Sequence, residues 1–302
     1  MKIIMTGASG FVGKNLSSYL EEKGIQVSKV SLRDRLWKKA FEENAGAIIH
    51  LAGKAHDTKS TSEKNEYFAI NRNLTISVFN EYLKSNTSDF FFFSSVKAVA
   101  DSVEGILKEN VEGNPQTPYG KSKFEAEQYL LKVNLPQDKR LFIIRPCMIH
   151  GAGNKGNLNL LYKIVSKGIP WPLGAFENKR SFLSIDNLSY LIHQILLNKD
   201  ISSGIYNFSD DEPLSTNRLI TLMNKVIGKK ARLFHLNKKL VITIASVGDK
   251  FHLPFNSERL NKLTENYVVS NSKIKAALNI EKLPHSAEVG IIKTIKSFNK
   301  KK

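Results

Sequence analysis

Tyr119 and Lys123 stand four residues apart in QTPYGKSKFEAEQYLL, where Phe124, Ala126 and Leu130 supply apolar positions at helical spacing. Four residues along a helix bring two side chains onto one face. A lysine ammonium beside a phenol is expected to lower the phenol from ~10 toward neutrality. Such a pair can take a proton from a hydroxyl or return one to a carbonyl oxygen. Ser94 and Ser95 close the run DFFFFSS, and a hydroxyl at that strand end can hydrogen-bond the same reacting oxygen. Tyr-x-x-x-Lys is common by chance, so its meaning rests on the rest of the chain.

A second signal opens the sequence. Thr6-Gly7-Ala8-Ser9-Gly10-Phe11-Val12-Gly13 joins an apolar strand, Lys2–Thr6, to a helix expected over Gly13–Lys23 with Leu16, Tyr19 and Leu20 on one face. The first glycine permits a tight turn, the second lets backbone N–H groups approach a pyrophosphate, and the third lets helix pack close to sheet. Phosphates then sit at the positive helix N-terminus. Placed between strand and helix, the loop reads as a dinucleotide site. Strand two ends in Val30-Ser31-Leu32-Arg33-Asp34. Ser31 stands where an acid would hold a ribose 2′-hydroxyl, and Arg33 offers a planar fork to a 2′-phosphate. That favours NADP(H) over NAD(H), with Asp34 as the competing ribose ligand.

These groups need a scaffold that aims them at one place. Strands are expected near Gln26–Leu32, Ala47–Leu51, Asp89–Ser94 and Arg140–Ile144, with helices at Leu36–Glu43, Ala69–Lys84 and Tyr119–Leu131 between them. Strands apolar throughout and separated by helices argue a parallel sheet covered on both faces, a doubly wound α/β fold. Beyond Gly151 the pattern loosens. Helices are expected at Leu158–Lys167, from Thr216, at Ser272–Leu278 and at Ser286–Phe298, with strand-then-helix in SFLSIDNLSYLIHQILLN and a short strand in IYNFS. Val241–Phe255, mostly apolar with a Gly-Asp interruption, is expected to pack as a core or inter-domain helix rather than touch a membrane. No internal repeat is evident, and only the lysine-rich end is expected to be disordered.

The chain has 302 residues, 41% of them hydrophobic, enough to bury a core and to exclude disordered, collagenous and coiled-coil classes. No apolar run reaches the ~20 residues that span a bilayer, and MKIIMTGASG turns to glycine too early for a secretory signal. The one cysteine, Cys147, excludes an internal disulfide and fits a reducing cytoplasm. Its setting, FIIRPCMIHG, reads as a buried strand end rather than a nucleophile. Formal charge is +17. Residues 1–150 hold 21 Lys and Arg against 17 Asp and Glu, whereas residues 151–302 hold 24 against 11, so the second half is the basic half. That favours an anionic partner there.

Together these features resemble the extended short-chain dehydrogenase/reductases, the NAD(P)-dependent sugar-nucleotide epimerase/dehydratase family, over nearly the whole chain. TGASGFVG resembles the family's glycine loop, IIHLAG its third-strand ending, and NRNLT its N-V-x-G-T helix, which places Asn71. SSVKA resembles the serine strand, QTPYGKSK the active-site helix, and IIRPCMIHG the R-P-x-x-V-Y-G strand. The resemblance implies a Rossmann-like domain over residues 1–150, rejoined by about 183–209, and a smaller mixed substrate domain from 151–182 and 210–302. It implies cofactor contacts from Gly7, Ser9, Gly10, Phe11, Val12, Gly13, Ser31, Arg33, Leu51, Ala52, Gly53, Asn71, Tyr119 and Lys123, and no metal. Catalysis would fall to Tyr119, Lys123 and Ser95. His150 replaces the family's tyrosine and VKAVAD its A-x-V-Y-G, so either Ser95, the first choice, or Ser94 takes the serine's place.

By the same resemblance, Asn157 in KGNLNLL and Arg180 in KRSFLSIDNL fall at sugar-nucleotide positions, although Ser181 replaces the Asp that follows the arginine. Arg259 is a further phosphate candidate, and two guanidinium forks suit a diphosphate well. Ser95 would also touch substrate. Dehydration calls for an Asp-Glu pair after the serine, and Val96-Lys97 stands there instead. The segments HLAGKAHD and RLNKLTENYVVSNSKIKAAL look most like reductases that finish N-acetylquinovosamine- or fucosamine-type sugar nucleotides. The expected activity is therefore 4-ketoreduction of a nucleotide-linked, UDP-type hexose or N-acetylhexosamine, with 4-epimerisation as the alternative. A catalytically silent dinucleotide-binding regulator is disfavoured because Tyr119, Lys123 and a serine are all present. A nucleic-acid binder would need a recognition motif that the chain lacks. Peripheral contact of the basic half with an anionic membrane, and a homodimer, stay open.

Overall fold

The computed structural model describes residues 1–41, 44–54, 64–154 and 156–299. In order, the first part of the chain runs β1 (Lys2–Thr6), α1 (Phe11–Glu22), β2 (Gln26–Val30), a 3-10 turn at Trp37–Phe41, and β3 (Ala47–His50). Next come α2 (Lys64–Tyr67), a π-helical stretch (Phe68–Leu74), α3 (Thr75–Lys84), β4 (Asp89–Phe93), a 3-10 turn (Val96–Ala98), β5 (Ile106–Leu107), α4 (Pro118–Lys132) and β6 (Arg140–Pro146). The remainder is β7 (Met148–His150), α5 (Asn157–Ser166), β8 (Phe182–Ser184), α6 (Ile185–Leu197), β9 (Gly204–Phe208) and α7 (Thr216–Val226). It closes with α8 (Lys238–Lys250), α9 (Ser257–Thr264), β10 (Val268–Val269), α10 (Ser272–Leu278) and α11 (Ala287–Asn299).

Six strands form one parallel sheet in the order β2-β1-β3-β4-β6-β9. The period of two in a strand decides the layers. Phe91 and Phe93 face one side with Ile3, Met5 and Ile49, against Leu16 and Leu20 of α1 and Leu188 and Leu191 of α6. Phe90 and Phe92 face the other with Ile4 and Ile48, against Val78, Phe79 and Tyr82 of α3 and Ala126 and Leu130 of α4. Both faces are thus buried, and the fold is a Rossmann-like doubly wound α/β sheet. A third cluster, from α5, α7 and α11, forms a separate core around Leu161, Met223 and Ile291. Strand order reverses between β1 and β3, the place where open α/β sheets bind ligands beyond their carboxyl ends.

Two buried polar devices hold this frame. His50 lies between Thr6 Oγ1 (2.7 Å) and Thr75 Oγ1 (3.0 Å), and burial pushes its imidazole down to about 3, so it is a neutral structural bridge. Arg145 of β6 donates through Nε to Glu127 Oε1 of α4 (3.0 Å), and both side chains are almost wholly buried.

The structure departs from sequence expectation in three elements. The helix expected over Leu36–Glu43 is, among the described residues, a 3-10 turn that follows Asp34, whose carboxylate accepts the Leu36 N–H at 2.9 Å. The helix expected from Ala69 starts at Lys64 and adopts π geometry through Phe68–Leu74. Val241–Phe255 is helical only to Lys250: α8 packs on the core through Val241 and Ala245 and leaves its other faces open. The terminal lysines 300–302 lie outside the described residues.

Candidate active site

Helix α4 starts where the sequence says a helix should. Thr117 is its N-cap, its hydroxyl accepting the Gly120 N–H at 3.2 Å, and Pro118 occupies the first helical position. A Cβ at Gly120 would stand 2.4 Å from the Lys97 carbonyl oxygen, so only glycine lets α4 press against the turn Val96–Ala98. That contact sets Tyr119 beside Ser95, whose hydroxyl favours the ionised phenol. Ser95 also caps its turn, accepting the Lys97 N–H at 3.2 Å. The Ser94 hydroxyl is buried without a hydrogen-bond partner among the described residues.

One turn along α4, Lys123 reaches the end of β4 and donates to the Phe93 carbonyl oxygen at 2.8 Å. Burial brings its ammonium down to about 8, while Glu127 opposes the shift. A Cβ at Gly53 would lie 3.1 Å from Asn71 Oδ1 and 3.2 Å from Lys123 Nζ, so Gly53 keeps open the space between them. Asn71 is fully buried and satisfied: it accepts from the Lys54 N–H (2.8 Å) and donates to the Lys54 carbonyl (3.1 Å) and to Ser122 Oγ (3.0 Å). Tyr67, four residues before Asn71, lies edge-on to Tyr119 at 6.3 Å between ring centroids. Ser122 and Tyr67 were not singled out from sequence, although each is one or four residues from a residue that was.

The sequence led to a phenol lowered by its lysine. The structure reverses the direction. Burial raises Tyr119 above its ordinary value, the Ser95 hydrogen bond opposes this, and Lys123 is not among the causes, its ammonium being turned to the Phe93 carbonyl. Tyr119 therefore carries its proton at neutral pH, as an ordinary phenol does.

The glycine loop lies across the reversal point of the sheet. Gly7 has φ +70°, and a Cβ there would stand 2.5 Å from the Ala52 nitrogen. A Cβ at Gly13 would stand 2.4 Å from the Gly7 oxygen. Helix α1 is N-capped by Gly10 with no side-chain cap, and its first turn, which includes Phe11, Val12 and Gly13, carries no acid. A glycine-lined cradle closed against Leu51 and Ala52 fits a diphosphate of a dinucleotide. At the end of β2, Ser31 and Arg33 are exposed.

From the second half, Arg180 bridges to Leu214 and Tyr267 through its backbone, and Tyr267 donates its hydroxyl to the Val96 (3.2 Å) and Ala100 (2.7 Å) carbonyls. Arg180 is thereby placed behind the Ser95 turn, its guanidinium on the Lys262 carbonyl and 3.5 Å from Glu265. Lys97, which stands 4.2 Å over the Tyr267 ring, is the cation that sequence reasoning passed over there. Asn157 is the exposed first residue of α5, and Arg259 is exposed in the first turn of α9, donating to the Pro254 carbonyl. His150 is explained by the protein itself: it pairs with Thr294 Oγ1 at 2.9 Å and lies 3.6 Å from Asp210. Cys147 is buried, which pushes its thiol well up and leaves it inert.

Residues 3–208, glycine loop and Tyr-Lys helix included, match the model of the NAD dependent epimerase/dehydratase family. The chain belongs to that family. Among its members, a UDP-glucose 4-epimerase of Vibrio cholerae is 31% identical, with 72% of this chain and 73% of the relative covered. An Escherichia coli O157:H7 N-acetyl-alpha-D-glucosaminyl-diphospho-ditrans,octacis-undecaprenol 4-epimerase is 28% identical (78% and 75% covered). A GDP-6-deoxy-D-mannose reductase of Pseudomonas aeruginosa is 25% identical (74% and 79%). The fold is shared with the structure of RMD from Pseudomonas aeruginosa complexed with NADPH, at a TM-score of 0.75 and 18% identity over 99% of each chain. The family thus contains both epimerases and reductases, and this chain is an enzyme of that type.

Proposed function

We propose that the chain reduces a 4-keto group on a diphosphate-linked hexose, with NADP(H) as its dinucleotide. The observation that carries this reading is Tyr119 set beside Ser95 at the edge of the sheet, one helical turn from Lys123 and across from the glycine cradle. A bound nicotinamide dinucleotide supplies the two-electron chemistry. The chain's own residues do the rest. Ser95 and Tyr119 hold the sugar's carbonyl oxygen, and Tyr119 gives its phenolic proton to that oxygen as charge develops there. Lys123 would hold the ribose side of the dinucleotide, Asn71 would fix Lys54 and Ser122 beside it, and the α1 N-terminus would receive its phosphates. Arg180, Asn157 and Arg259 are assigned to the nucleotide diphosphate of the substrate.

The NADP(H) assignment rests on the end of β2. Ser31 brings no carboxylate, and Asp34 spends its own on the Leu36 N–H. Arg33→Ala should therefore weaken NADPH at least tenfold more than NADH, the loss of a hydrogen bond to a charged group being worth ~1.5–3 kcal/mol. Equal effects on both dinucleotides, measured by fluorescence titration, would return the protein to NAD(H).

Lys123 gives a second test, with a definite sign. Its ammonium is lost as pH rises through about 8, so dinucleotide binding that uses the ammonium is strong below that pH. Above it the affinity should fall by up to about tenfold per unit, the slope of one linked proton. Lys123→Met should bind weakly with no such slope. A wild-type affinity flat from pH 7 to 9.5 would remove Lys123 from cofactor binding.

Epimerisation at C4 is the second reading, favoured by the two 4-epimerases named above. The deciding experiment is to purify the protein and examine its nicotinamide. Net oxidation of NADPH with a 4-keto sugar nucleotide supports reduction. Tightly held NAD, with interconversion of C4 epimers and no net redox change, supports epimerisation.

A further inference from the structure

Helix α8 has two apolar stripes, and the fold uses one. Val241, Ala245 and Gly248 face inward. Leu240, Ile244, Val247 and Phe251 follow one another at steps of four, three and four residues, which places them on a single adjacent face. That face is open: they are 54%, 50%, 46% and 65% exposed. Phe234 and Leu253, on the segments that enter and leave the helix, are also about half exposed. Single exposed apolar residues need no explanation, whereas a contiguous stripe of this kind marks a contact surface.

The surrounding charge says what kind of surface it meets. Between residues 229 and 256 stand Lys229, Lys230, Arg232, Lys238, Lys239 and Lys250 against a single acid, Asp249. Asp249 is itself engaged, accepting the Ser257 N–H at 3.1 Å. A second copy of the chain would bring two such basic faces together and repel. An anionic surface would not. No helix among the described residues is long and apolar enough to cross a membrane, so the contact would lie in the plane of the interface.

We propose that the α8 face docks the protein peripherally on an anionic phospholipid bilayer, with Leu240, Ile244, Val247 and Phe251 entering the headgroup boundary and the flanking lysines meeting the lipid phosphates. This mode is that of an amphipathic helix whose apolar burial and electrostatic attraction act together. The proposal is independent of which redox reaction the active site performs.

The test is co-sedimentation of the full chain with vesicles of phosphatidylcholine alone or with one-third phosphatidylglycerol. The protein should pellet with the phosphatidylglycerol vesicles at low salt and be released by salt. The triple variant Leu240→Ser, Val247→Ser, Phe251→Ser should partition at least about tenfold less, from the apolar area removed. Its NADPH binding should stay intact, which shows that it is folded. Lys238→Glu with Lys239→Glu should abolish the preference for phosphatidylglycerol. Absence of binding to phosphatidylglycerol vesicles would overturn the proposal, as would binding that the triple variant leaves unchanged. A dimer that the triple variant converts to monomer in sedimentation equilibrium, without vesicle binding, would assign the face to a second copy instead.

Discussion

Tyr119→Phe is expected to lower turnover by at least ~10²-fold, the usual contribution of a general acid–base group, while leaving stability and dinucleotide affinity within a factor of about two. The substitution removes one hydroxyl. The ring stays against Tyr67, and Thr117 and Pro118 continue to set the start of α4. What is lost is the phenolic proton and the hydroxyl beside Ser95. Single-turnover kinetics with dinucleotide bound would separate this from a binding defect. Wild-type turnover in the variant would remove Tyr119 from the mechanism. Ser95→Ala should lower turnover as well, whereas Ser94→Ala should not.

The largest expected effect on stability comes from Glu127. Its carboxylate pairs with Arg145 where both side chains are almost wholly buried, joining α4 to β6. Glu127→Gln leaves a guanidinium charge inside the protein with no counter-charge, a change that costs about 3–5 kcal/mol. Urea unfolding should show it as a lower midpoint at unchanged slope. Replacing both partners together, Glu127→Leu with Arg145→Met, should recover most of the loss, because no charge is then left unpaired. Less than ~1 kcal/mol lost in the single variant would mean that water reaches the pair. Glu127 also raises the Lys123 pKa, so in Glu127→Gln the pH dependence of dinucleotide binding should shift to lower pH.

Much of this protein is legible before any coordinates. The apolar strands, the glycine loop and the Tyr-x-x-x-Lys spacing are local patterns, each tied to one element, and the matching elements lie where periodicity puts them. The direction of the Tyr119 shift was not legible, because it depends on where Lys123 Nζ points. That is decided by the Phe93 carbonyl, thirty residues away in sequence. The nearness of Ser95 to Tyr119 is likewise tertiary, resting on how Gly120 lets α4 approach the Val96–Ala98 turn. The exposed stripe of α8 was not legible for a related reason. An apolar run reports that a surface avoids water, and it cannot say whether the cover is the chain's own core.

The π-helical stretch Phe68–Leu74 carries a consequence for how the chain can vary in length. It joins Tyr67, which packs on Tyr119, and Asn71, which holds Lys54 and Ser122, to the ordinary helix α3 anchored in the core by Val78, Phe79 and Tyr82. An i→i+5 stretch winds less per residue than the ~100° of an α-helix, so its seven residues turn about as far as six α-helical ones would. A one-residue deletion within it that restored α geometry and spared Asn71 would therefore leave Tyr67 facing Tyr119. The same deletion made inside α3 would swing Tyr67 by ~100° around the axis and take it off the Tyr119 ring, although no residue of the site had been substituted. Along this helix, a change of length is compatible with the site only within the π-helical stretch.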